Sequence, residues 1–64
     1  MILSQDEKVL LYRMQDGKIK SCEVARLDVK RGLIEKGYMK IIFSTTEGFL
    51  GYRISPLGLN VIKE

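Results

Sequence analysis

The chain has 64 residues, is 45% hydrophobic and 30% charged, and carries a formal net charge of +3. That length allows one domain over residues 1–64, and the apolar share is that of a globular rather than a disordered chain. A chain this short buries only about 60% of the surface its unfolded form exposes, too little to enclose a substrate cavity and hold its supports, so no enzyme is expected.

There is no histidine and one cysteine, Cys22. The commonest general base and metal ligand is therefore missing, and neither an internal disulfide nor a thiolate zinc site is available. No catalytic residues, metal or cofactor are expected. One unpaired cysteine fits a reducing compartment. No stretch approaches the ~20 apolar residues of a membrane span, and the segment Met1 to Glu7 lacks the basic end and apolar run of a signal peptide. A soluble cytoplasmic protein without membrane contact is expected.

The charge is unevenly spread. Residues 18–40 hold Lys18, Lys20, Arg26, Lys30, Arg31, Lys36 and Lys40 against Glu23, Asp28 and Glu35, a net of +4, whereas the rest of the chain nets −1. A local basic surface attracts phosphate and steers polyanions. The competing reading is a solvated helix face that needs no partner.

In chain order, Ser4 and Glu7 fit a capping box, and Asp6 and Glu7 suit the positive end of a helix dipole. Val9, Leu10, Leu11 and Met14 supply a buried stripe, and Gly17 is placed as a left-handed C-cap. The alternative is a hairpin of Val9–Met14 and Ile19–Val24 around Asp16-Gly17, which would make a small β-rich protein without a DNA role. The spacing next predicts a helix over Ser21 to Lys36, capped by Ser21 and closed by Gly37. Its stripe is Ala25, Val29, Gly32 and Leu33, widened by Val24, Leu27 and Ile34. Gly32 costs such a helix about 1 kcal/mol unless a neighbour packs close to it. Asp28 is an alternative cap that would split the stretch in two.

Met39–Ser44 and Phe49–Ile54 then read as a β-hairpin around the polar turn Thr45-Thr46-Glu47-Gly48. Ile41 and Phe43 share one face of the first strand, and Leu50, Tyr52 and Ile54 one face of the second. Ser55-Pro56 starts a short final helix with Leu57, Val61 and Ile62 on its apolar side, and Leu59 adds to its apolar surface.

Three stretches resemble parts of the winged helix-turn-helix family. Leu33-Ile34-Glu35-Lys36-Gly37-Tyr38-Met39 looks like the end of a recognition helix entering the first wing strand. Tyr52-Arg53-Ile54-Ser55-Pro56-Leu57-Gly58 looks like the second wing strand and the turn into the next helix. Lys18-Ile19-Lys20-Ser21-Cys22-Glu23-Val24-Ala25 is similar to the family's short strand and the start of its second helix. The resemblance implies an α+β, winged-helix-like fold: helices, a β-hairpin wing and a short C-terminal helix. It also implies a small double-stranded DNA-binding protein, a transcriptional regulator or a control factor of a mobile element or phage. Only seven residues separate Ala25 from Leu33, so the family's second and third helices are merged or shortened here.

On that reading Arg26, Lys30 and Arg31 lie on the helix that enters the major groove, and Lys18, Lys20 and Lys40 contact the DNA backbone. Arg31 and Glu35 also have the spacing of an intrahelical ion pair. Cys22 is expected as a small packed residue, and Tyr12, Tyr38 and Tyr52 as core edges. The final helix either completes the core or forms a homodimer face. The wing tip carries Glu47 and no cation, which favours an alternative: a protein–protein interaction module of the same fold.

Overall fold

The computed structural model describes residues 3–63; Met1, Ile2 and Glu64, which entered the readings of charge and of a leader, lie outside it. Five elements follow one another: α1 (Gln5–Arg13), α2 (Leu27–Glu35), β1 (Met39–Ser44), β2 (Gly48–Ile54) and α3 (Pro56–Lys63). The class is α+β, with two helices, an antiparallel hairpin and a C-terminal helix.

The start of α1 is the capping box that the sequence predicts. The Glu7 N–H donates to Ser4 Oγ at 3.2 Å, and the Ser4 N–H donates to Glu7 Oε1 at 2.9 Å. Glu7 itself is only 6% exposed. Its carboxylate accepts from Lys36 Nζ at 2.7 and 2.8 Å, which ties the start of α1 to the end of α2. Gly32 sits beneath this contact, and a Cβ there would lie 2.6 Å from Glu7 Oε2. The interior glycine of α2 is the space that the carboxylate occupies.

The hairpin of Val9–Met14 with Ile19–Val24 does not form, because residues 5–13 are helical. Gly17 is left-handed at φ +76 but lies past the C-cap, which is Met14. After the helix has ended, Asp16 Oδ1 accepts the Lys18 N–H at 3.1 Å, an Asx turn around Gly17.

The predicted helix over Ser21 to Lys36 is half right. Only its second half is helical, with Arg26 as the N-cap and no side-chain capping bond. Ser21 caps nothing, and Asp28 lies in the first turn rather than at the cap. The cause is upstream. Lys20 pairs with Tyr52 through two backbone bonds, at 2.9 and 2.7 Å, so the chain must first leave the edge of β2. It does so through Cys22 at φ +55 and a turn closed by Ala25 N–H to Cys22 O at 3.1 Å. Residues 21–37 therefore hold one helix preceded by a turn. That helix closes as predicted at Gly37 (φ +82), where Tyr38 N–H bonds Leu33 O and Gly37 N–H bonds Ile34 O at 2.9 and 3.0 Å.

β1 and β2 pair antiparallel, with Met39 opposite Ile54, Lys40 opposite Arg53 and Ile41 opposite Tyr52. The register then shifts, so that Phe43 faces Phe49 and Leu50 has no partner. This bulge moves Leu50 off the face that alternation assigns to it and puts Phe49 there instead. The Phe49 ring stands edge-on to both Phe43 and Tyr52, with centroids 5.9 and 5.3 Å apart.

The core comprises Leu3, Leu10, Leu11, Met14, Leu33, Tyr38, Met39 and Ile54. Leu59, Val61 and Ile62 of α3 pack against it, while Leu57 of the same helix stays exposed. No helix among the described residues is long and apolar enough to cross a membrane.

Candidate nucleic-acid interface

The six cations singled out from the sequence come from three parts of the fold. Arg26, Lys30 and Arg31 belong to α2 and its cap, Lys18 and Lys20 to the segment between helices, and Lys40 to β1.

Lys30 is the clearest departure. It is half-buried, its Nζ donates to Cys22 O at 3.2 Å, and it stands 5.2 Å from the centroid of the Tyr52 ring. This ammonium joins α2, the turn and β2, so its surroundings are those of a packing residue rather than a phosphate ligand. Lys20 is similarly engaged: its Nζ donates to Arg13 O at 2.5 Å and pairs with Asp16 Oδ2 at 3.2 Å. The Asp16 carboxyl lies below its ordinary range, first because the Lys18 backbone N–H bonds it and then because Lys20 does. Arg26 pairs with Asp28 at 3.0 Å, and both side chains stay mostly in solvent. Such exposed pairs contribute little and open readily.

Arg31, Lys18 and Lys40 are exposed. No ion pair joins Arg31 to Glu35 among the described residues. The outward side of α2 also carries Leu27, Asp28 and Glu35, so Arg31 stands between two carboxylates on that helix.

A residue that composition and periodicity did not bring forward is Arg53. It lies directly opposite Lys40 in the hairpin, and both are exposed. Met39 and Ile54, the adjacent pair, enter the core; strand alternation therefore turns Lys40 and Arg53 to the other face. Like charges directly opposite on one sheet face destabilise it unless something neutralises them. Both border a hollow lined also by Ile42, Ile54, Pro56 and Leu59, and no carboxylate among the described residues lines it. Gly17 reaches the same hollow, which brings the Gly17–Lys18 turn to its rim. The sequence signal for this pair was the hairpin register, which the turn residues fix only once the bulge is known.

A second concavity, a groove of about 670 Å³, runs between α1 and the turn after Lys20. Asp6 and Glu23 line it together with Arg13, Lys20 and Arg26, so its charge is of mixed sign. Cys22 lies at its floor, with Sγ donating to Met14 Sδ at 3.4 Å. Burial pushes this thiol up, and the charges of Lys30 and Lys20 only partly offset it. It stays protonated and packed, as the sequence predicts.

The chain matches no family model, no curated protein and no solved structure.

Proposed function

We propose that this chain is a small double-stranded DNA-binding protein with a shortened winged-helix fold, acting as a transcriptional regulator or a control factor of a mobile element or phage. One observation carries the reading. Two exposed cations, Lys40 and Arg53, are held opposite each other on the hairpin beside a hollow that no carboxylate among the described residues lines. That arrangement raises the energy of the free protein, and a phosphate between the two cations lowers it. The element order supports the fold assignment, as does the Lys20–Tyr52 pairing at the position of the family's short strand. The turn at residues 21–26 stands where that family has its second helix.

In this account the hairpin cations and Lys18 grip the DNA backbone, and Arg31 with Arg26 lies along α2 toward the groove. Lys20 and Lys30 support those elements from beneath. Lys40→Ala and Arg53→Ala each weaken binding alike on all duplexes and reduce the log–log salt slope by about 1. Lys30→Ala leaves that slope unchanged and lowers the melting temperature instead. Fluorescence anisotropy at several salt concentrations, with thermal melts of the same variants, checks this. Equal slopes for wild type, Lys40→Ala and Arg53→Ala remove the hairpin from the interface.

A second reading, a module that binds another protein, is favoured by Val24 and Leu27. These stand 89% and 64% exposed, before and after Arg26 in the chain, and Val24 also lines the groove.

A further inference from the structure

We propose that β1 is a dimerisation edge: it pairs antiparallel with β1 of a second copy of this chain, about a two-fold axis through Ile42. The hydrogen-bond directions come first. The N–H and C=O of Tyr52 are both bonded to Lys20, on the side of β2 away from β1. Ile41 lies directly opposite Tyr52. In an antiparallel ladder, residues opposite each other either exchange both bonds or both point away. Ile41 therefore directs its N–H and C=O to the outer edge of β1, and by alternation Met39 and Phe43 do the same. β1 pairs only with β2 among the described residues.

The side chains match that edge. Ile41 and Phe43 are 42% and 67% exposed, on the same strand face. β1 has no proline and no bulged residue of its own, and Lys40 is its one charge, so it lacks most of the devices that keep an edge unpaired. The strand is also its own complement. With Ile42 on the axis, Ile41 sits opposite the second copy's Phe43, Phe43 opposite the second copy's Ile41, and Lys40 opposite the second copy's Ser44. Each exposed apolar side chain then covers another, and no like charges meet. Sliding the pair by two residues would set Phe43 against Met39, which is already buried at 2%. The self-complementary register selects a second copy rather than a foreign strand.

The result is a four-stranded sheet in the order β2–β1–β1–β2. One face carries the aromatic residues of both copies. The other carries both Lys40–Arg53 pairs, which doubles the basic surface. The dimer is independent of DNA binding and is tested without it.

Sedimentation equilibrium of the full chain in reducing buffer is expected to give a monomer–dimer equilibrium. Phe43→Lys weakens it by roughly tenfold or more with an unchanged circular dichroism spectrum. Ile41→Pro removes an N–H that points outward, not one that bonds β2, and it also gives a monomer with the hairpin intact. Ile42→Cys in a Cys22→Ser background brings the two thiols together on the axis, where α-carbons of such a pair lie about 4.5 Å apart, within disulfide reach. It forms a covalent dimer on mild oxidation, whereas Phe49→Cys in the same background does not. A wild-type chain that stays monomeric at millimolar concentration overturns the proposal. So does a dimer that is unaffected by Phe43→Lys and not captured at position 42.

Discussion

Gly58→Ala is expected to lower stability by about 3 kcal/mol, enough to leave a domain of this size largely unfolded. Gly58 lies in the first turn of α3, where a Cβ would penetrate the Tyr38 carbonyl oxygen and stand 2.8 Å from Ile54 Cγ1. The first of these neighbours is backbone and has no rotamer to change. It is also held in place: Tyr38 O accepts the Ser55 N–H at 3.0 Å. Ser55 Oγ, almost fully buried, donates to Gly37 O at 2.5 Å and accepts the Gly58 N–H at 3.1 Å. The end of α2, the start of β1 and the start of α3 thus meet at one junction, and an added methyl group separates them. Chemical denaturation of Gly58→Ala beside Asn60→Ala, an exposed position in the same helix, reads this directly. The control changes stability by less than about 0.5 kcal/mol.

Glu7→Gln is expected to cost about 2 kcal/mol at neutral pH and to remove an acid-sensitive part of the stability. Burial raises the Glu7 carboxyl pKa. The Lys36 hydrogen bond, the Ser4 backbone N–H and the Lys36 charge outweigh it and hold the group below its ordinary value of 4.5. A folded pKa below the unfolded one means that the unfolded state takes up the proton more readily. The contribution of Glu7 is therefore fully present above the unfolded value of 4.5 and is lost as pH falls through the lower folded one. Asp16 is shifted in the same direction, so wild type and Glu7→Gln both lose stability in acid. The difference between their curves isolates Glu7: it is constant above about pH 5 and shrinks below it. A difference that stays constant down to pH 2 would mean that the charge of Glu7 does not stabilise the fold. Gly32→Ala shares the site, because its methyl group displaces the same carboxylate. Its cost in wild type is expected to exceed its cost in Glu7→Ala by about 1 kcal/mol or more.

Local signals predicted local structure well. The Ser4–Glu7 capping box, the Gly37 closure, the hairpin strands and the Ser55-Pro56 start of α3 all depend on residues within one turn of one another. Failures arose where a distant partner decided the outcome. Ser21 and Ala25 fit a helix by spacing, but the Lys20 bond to Tyr52, far along the chain, leaves those residues in a turn. The close neighbour that an interior Gly32 calls for is there, but the carboxylate that supplies it belongs to α1, so the sequence does not name it. Lys30 looked like a free cation because nothing local shows the Tyr52 ring beneath it. Arg53 was passed over because its pairing with Lys40 depends on a hairpin register that the Leu50 bulge complicates. Helix position separates exposed from buried cations only when the helix boundary is right, and here it starts at Leu27 instead of Ser21.

The proposed function requires that the exposed cations of this fold bind the phosphates of duplex DNA. Titrating a labelled 20–30 base-pair duplex of arbitrary sequence with the wild-type chain, at several salt concentrations, tests it most directly. The expected result is micromolar affinity that falls linearly on log–log axes, with a slope of about 0.9 for each phosphate contacted. Binding that is absent even at low salt, or affinity that does not change with salt, would contradict it.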